Sequence, residues 1–198
     1  NDLPTGQKGF VPSYNFYDKI YGKNRWKYST NLSLSVGQDA LLTTPIQLAN
    51  MAACIANRGY YYTPHIVKNI NNGKIDDRFT KRNYAMIDSA LFEIVIKGMQ
   101  KVVEDEELGT SNLAKMEDIN VCGKTGTAQN PHGEDHSIFI GFAPMNNPKI
   151  ALAVYVENGG WGSTWAVPIA SLMIEKYLKG TIKRNKLEKE IIEGVIDY

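Results

Sequence analysis

Three short stretches, residues 121–127, 137–143 and 150–156, each have the apolar and β-branched content of a strand. The spacers between them carry Pro131-His132-Gly133 and Asn146-Asn147-Pro148, which are turn sequences. A parallel pair needs a crossover of about a dozen residues or more, usually with a helix. These spacers are too short for that, so the three stretches are expected to form an antiparallel meander. The third is apolar throughout rather than alternating, so both of its faces should be covered.

Helices must supply the cover. Thr44-Pro45 sets a capping hydroxyl before Pro at a first helical position. The helix it opens, with Ile46, Leu48, Met51 and Ile55, is apolar nearly all round and is expected to be buried, ending at Asn57-Arg58-Gly59. Asp88 or Ser89 caps a second helix to about residue 103, with Leu91, Ile94, Val95, Gly98, Met99 and Val102 on one side. A closing helix spans about 164–178. The fold class is therefore α+β, an antiparallel sheet of at least three strands with packed helices. Between these, residues 1–33 are aromatic and irregular with a short helix at 14–22, and 32–37 is a short apolar run. Residues 65–70 resemble a strand followed by a turn at Asn71-Asn72-Gly73. The acidic run 104–107 reads as a solvated loop, and Thr110-Ser111-Asn112 as the cap of a short helical turn. Trp161, Trp165 and the tyrosines at 60–62 read as packing residues, with one Trp beneath the closing helix.

At 198 residues with 43% hydrophobic and 22% charged residues, the chain has the balance of one globular domain. A net charge of +1 gives no footprint for nucleic acid. Cys54 and Cys122 fall in a predicted helix and a predicted strand, and read as two buried thiols. His132 and His136 are four apart, but Pro131 and Gly133 place them in a loop, so no metal site is expected.

The chemistry concentrates in Val121-Cys122-Gly123-Lys124-Thr125-Gly126-Thr127-Ala128-Gln129. Glycine inside a strand marks the close approach of another backbone or a ligand. A lysine beside two hydroxyls offers a fixed positive charge and rotatable donors, a set suited to a carboxylate. With Phe139-Ile140-Gly141-Phe142-Ala143-Pro144, Val156-Glu157-Asn158-Gly159-Gly160, and the segment from Val36-Gly37-Gln38 through Thr44-Pro45-Ile46-Gln47 to Pro64-His65, this run resembles the C-terminal part of a class B penicillin-binding protein transpeptidase domain. The elongation-type penicillin-binding protein 2 family is the nearest in pattern.

That resemblance implies a D,D-transpeptidase that cross-links peptidoglycan stem peptides at D-Ala-D-Ala through a serine acyl-enzyme, binds penicillin, and needs neither cofactor nor metal. By it, Lys124 supplies positive potential and positions a proton relay. Thr125 and Thr127 hold the terminal carboxylate of the stem peptide or β-lactam, Gly126 stays small beside the ligand, and the Thr127 N–H serves as an oxyanion donor. Asp135-His136 would lie near the cleft rim. The implied setting is the periplasmic face of the inner membrane, with membrane glycan polymerases and cell-shape proteins as partners. Serine β-lactamases and D,D-carboxypeptidases share the Lys-Thr-Gly element and stand as alternatives, as does a module in which the fold survives only for binding.

The family's nucleophile lies in a Ser-x-x-Lys motif, and these 198 residues contain none. Ser13-Tyr14-Asn15 sits in the irregular opening and is set aside as the proton-relay motif. The expectation is a C-terminal portion of a transpeptidase domain over residues 1–180, a charged tail over 181–198, no acylation by itself, and self-association through uncovered surface.

Overall fold

The computed structural model describes residues 6–71 and 73–196, so the start of the irregular opening, Asn72 of the expected turn and the last two residues of the tail lie outside the described residues. The described residues fall into two units, 6–44 and those from Pro45 onward.

In the first unit, the Ser13 hydroxyl caps α1 (Tyr14–Tyr21) by accepting from the Phe16 N–H, which gives the set-aside triplet a structural role. Phe10 and Leu42 exchange backbone hydrogen bonds of 2.7 and 2.9 Å, and the Tyr17 hydroxyl donates to Asp39. The apolar run at 32–37 forms the end of a helix, α2 (Tyr28–Ser35), and the turn after it.

The second unit is built on the expected meander: β3 (Cys122–Ala128), β4 (His136–Ala143) and β5 (Ile150–Val156), antiparallel in the order β3-β4-β5. The preceding strands, β1 (Tyr60–Tyr61) and β2 (Asn83–Tyr84), pair with each other, antiparallel. Alternation divides the large sheet into two faces. Phe139, Leu152 and Val154 meet Ala166, Val167, Ala170 and Ile174 of α6 (Ala166–Lys179). On the other face Cys122 and Phe142 meet Ala56 of α3 (Pro45–Ala56) and Phe92, Ile96 and Met99 of α5 (Ser89–Glu104). Burying Phe139 and Phe142 completely contributes roughly 1.5–3 kcal/mol each. Both faces of β5 are covered as expected, although Tyr155 stays 38% exposed.

Three expectations need correction. α3 is not buried: of its residues only Ala52 and Ala56 are, and Ile46 and Met51 face solvent, because the helix meets the sheet along one side. α5 turns a different stripe inward, Phe92, Ile96, Met99 and Val103, leaving Leu91, Ile94 and Val95 exposed. Residues 65–70 form no strand. Ile70 makes only an isolated β-bridge, to Gly73 across the turn, and the His65 ring packs on Phe79 of the short helix α4 (Asp77–Thr80), 5.0 Å between centroids.

The C-terminal segment ends in α7 (Asn185–Glu193), joined to α6 by an ion pair between buried Glu175 and Arg184 at 2.9 Å. Trp165 is half-buried against Gly194 at the end of α7, whereas Trp161 is exposed. Among the described residues, no helix is long and apolar enough to cross a membrane.

Candidate active site

β3 has β4 on one side and no strand on the other among the described residues. Its register sets Gly123 opposite Gly141, Lys124 opposite Ile140, Thr125 opposite Phe139 and Thr127 opposite Ser137. Thr125 and Thr127 therefore share the α6 face of the strand, and Lys124 and Gly126 the other.

Lys124 is exposed, and its ammonium donates to its neighbour, Nζ to Thr125 O at 2.9 Å and to Thr125 Oγ1 at 3.4 Å. Among the described residues it forms no ion pair. Thr125 Oγ1 also lies 2.8 Å from Thr110 Oγ1, on the loop after α5. A cation without a counter-ion and a line of hydroxyls thus converge on one exposed strand edge.

The two glycines of the motif differ physically. A Cβ on Gly123 would overlap the Phe139 ring, with Cε2 at 2.5 Å, so Gly123 is demanded by the core. A Cβ on Gly126 would make ordinary contact with Ile138 at 3.4 Å. Nothing in the interior requires glycine there.

Two residues that position this strand carry no motif. Ser137 is fully buried, and its hydroxyl donates to Trp161 O at 2.9 Å while accepting from the Ala166 N–H at 3.1 Å. It thereby caps α6 and ties the loop after β5 to the sheet. Gly162 of that loop lies against β3 and β4: a Cβ there would stand 2.6 Å from Ile138 O and 2.7 Å from Gly126 O. Thr110 is the second such residue. The expected helical turn exists as a 3-10 segment, Asn112–Ala114, but no side chain caps it, and buried Ser111 Oγ has no hydrogen-bond partner among the described residues.

His132 lies in the β3–β4 turn as expected, whereas His136, expected in the same loop, is the first residue of β4, paired with Ala128. His136 Nδ1 accepts from the Asn158 N–H at 3.1 Å, and Asn130 Nδ2 donates to Asn158 Oδ1 at 2.7 Å. The Asp135 carbonyl accepts from the Gly160 N–H at 2.7 Å, so the β3–β4 turn is laced to the β5–α6 loop. Among the described residues no cluster of His, Cys, Asp or Glu could hold a metal ion. Cys54 and Cys122 are free thiols, and burial pushes the Cys122 thiol up to about 12, which leaves it unreactive. An apolar groove of about 500 Å³ between α6 and α7 is lined by Met173, Tyr177 and Ile192 among others, with no serine, threonine or cysteine and none of the hydroxyls of β3.

Comparison with known proteins places the chain in a family. Residues 9–175 match the family described as the penicillin binding protein transpeptidase domain. The peptidoglycan D,D-transpeptidase MrdA of Acinetobacter baumannii is 29% identical over 94% of this chain and 30% of its own length. That of Haemophilus influenzae is 31% identical over 85% of this chain and 28% of its own length. The chain thus spans under a third of these curated relatives. Among solved structures, PBP2 of Pseudomonas aeruginosa in complex with WCK 5153 superposes with a TM-score of 0.75 at 34% identity, covering 89% of this chain and 39% of that one. Helicobacter pylori PBP2 in complex with MreC gives 0.73 at 26% identity, covering 90% and 32%. On the match across most of its length and the shared α+β architecture, the chain belongs to the penicillin-binding protein transpeptidase domain family, and the relatives it matches include proteins of the PBP2/MrdA type.

Proposed function

We propose that β3 is one wall of a peptidoglycan D,D-transpeptidase cleft, whose serine nucleophile comes from polypeptide beyond these 198 residues. The observation that carries this reading is the edge itself: Lys124, with no ion pair among the described residues, beside the Thr125 hydroxyl on the outer edge of a strand paired only through β4 among those residues. Such an edge suits a ligand that is both an anion and an extended peptide, such as a stem peptide ending in D-Ala-D-Ala or the β-lactam that imitates it. Lys124 supplies positive potential and positions the proton relay of the opposite wall. Thr125 and Thr127 hold the terminal carboxylate, and Gly126 leaves room for the ligand backbone. The Thr127 N–H completes an oxyanion hole with the amide of the serine, stabilising charge that appears only in the tetrahedral transition state.

The chemistry is acyl transfer: serine attacks the penultimate D-Ala carbonyl, D-Ala leaves, and the amine of a second stem peptide takes the acyl group. The setting is the periplasmic face of the inner membrane, in company with a glycan polymerase and cell-shape proteins of the kind bound by the Helicobacter pylori relative. Residues 1–180 belong to the transpeptidase portion and 181–198 form a charged tail. Expressed alone, the chain associates with itself.

The test is covalent labelling with benzylpenicillin, followed by mass spectrometry. The 198 residues alone are expected to gain no adduct. The polypeptide uniting them with its Ser-x-x-Lys segment is expected to gain one slowly hydrolysed adduct. Lys124→Ala should slow that acylation by about 10²–10³-fold, the loss expected when a preorganised electrostatic contact is removed. An adduct on the isolated chain, or rapid turnover of penicillin in the manner of a β-lactamase, would overturn the reading.

A further inference from the structure

Thr125 stands at the centre of a short polar chain: Lys124 Nζ on one side at 3.4 Å, and Thr110 Oγ1 on the other at 2.8 Å. A threonine hydroxyl has one hydrogen to donate and two lone pairs to accept with. The Lys124 ammonium can only donate, so it takes one lone pair. If Thr125 spent its hydrogen on Thr110, it would face a ligand carboxylate with a lone pair and repel it. If Thr110 donates instead, the second lone pair is filled and the hydrogen of Thr125 is left for the ligand.

The loop that delivers Thr110 is held through its own groups. Asp105 Oδ1 accepts from the N–H groups of Glu107 and Leu108 at 3.0 and 2.9 Å. Asn112 Nδ2 donates to Asp105 O at 2.7 Å and Val103 O at 3.2 Å, and the Ser111 N–H donates to Val102 O at 3.0 Å. Gly109 allows the tight course, since a Cβ there would overlap the Asp105 carbonyl. These bonds hold the loop without calling on the Thr110 side chain, which is left for β3.

We infer that Thr110 is a positioning residue for carboxylate recognition: it donates to Thr125 Oγ1, fixing the rotamer of that side chain and turning its hydrogen toward the anionic end of the stem peptide or β-lactam. This rests on the proposed role of Thr125. Acting as a donor that sets a donor, Thr110 governs how well the site tells a free acid from a neutral ester.

The experiment uses the polypeptide that unites this chain with its Ser-x-x-Lys segment, and compares acylation by benzylpenicillin with acylation by benzylpenicillin methyl ester. The wild type should prefer the free acid. Thr110→Val keeps the shape but has no hydroxyl; it should lower the acylation rate constant for the acid about tenfold and leave that for the ester unchanged, as befits loss of one charge-directed hydrogen bond. Thr110→Ser should restore the wild-type preference. Equal losses on acid and ester, no loss on either, or failure of the serine variant to rescue would overturn the role of Thr110 alone. A wild type that is acylated but does not distinguish acid from ester would overturn the reading of Thr125 beneath it, and this inference with it.

Discussion

Phe139 lies across the paired glycines Gly123 and Gly141, and that one ring explains why the second residue of β3 carries no side chain. Glycine costs a strand backbone entropy and packing, so a strand keeps it where something must come close. At Gly123 the visitor is internal; at Gly126 no internal neighbour fills the role. Gly123→Ala should therefore destabilise the fold by about 1–3 kcal/mol, the usual cost of forcing a methyl into a packed core. Gly126→Ala should stay within about 0.5 kcal/mol of the parent, as substitutions without an internal clash do. Urea unfolding of both variants checks this, and equal losses would refute the distinction. The residues on β3 were legible in the sequence because they are contiguous and their chemistry is local. Thr110 and Ser137 were not. Thr110 reaches Thr125 from 15 residues away, and Ser137 acts on a loop 24 residues on. A hydroxyl that bonds across elements leaves no periodic mark.

Among the elements, the three strands and α6 were legible from turn chemistry and apolar content, but the inward face of α5 was not. Its residues 91, 95, 98 and 102 have the same helical spacing as 92, 96, 99 and 103, so periodicity alone cannot choose between adjacent stripes. Phe92 decides: it packs beneath Gly59, where a Cβ would stand 2.9 Å from its ring, and joins Cys122 and Phe142 in the core. α7 likewise depends on something outside its own sequence. Burial by itself would raise the Glu175 carboxyl, yet the Arg184 guanidinium and the Lys183 N–H outweigh it and hold it below the ordinary value. A carboxyl lowered in the folded state contributes stability that is whole above its unfolded value, about 4.3, and is lost as pH falls through the folded one. Glu175→Gln should therefore flatten the acid limb of a stability–pH curve below about pH 4.3. Asp105, Glu106 and Asp118 add to the remaining slope, lowered by two backbone N–H groups, by Lys115 and by Lys179 respectively. At neutral pH the same change should cost about 2–3 kcal/mol, under the roughly 3–5 of a wholly buried pair, because the Arg184 side chain keeps 26% exposure. Urea titrations stepped across that pH range supply both numbers, and an unchanged acid limb would remove Glu175 from the account.

At the scale of the whole molecule, the sheet is covered on its faces but open at its sides. Natural sheets guard an open edge with charge, proline, a bulge or a covering element. β3 carries Lys124; β5 reads Ile-Ala-Leu-Ala-Val-Tyr-Val, without a charge or a proline, and has no strand on its outer side among the described residues. A second apolar surface lies on α5 at Leu91, Ile94 and Val95, with Met86 fully exposed nearby in sequence. Both could drive one copy onto another, but they predict different remedies. Strand pairing supplies a full row of backbone hydrogen bonds, whereas the helix stripe offers only scattered side chains, so the β5 edge should dominate. Light scattering on the isolated chain should show a mass that rises with concentration. Tyr155→Lys, which sets a charge at an already exposed position on β5, should return it toward the monomer, while Ile94→Lys should do so much less. The reverse order would move the contact to α5, and a wild-type chain that stays monomeric at every concentration would mean that neither surface associates.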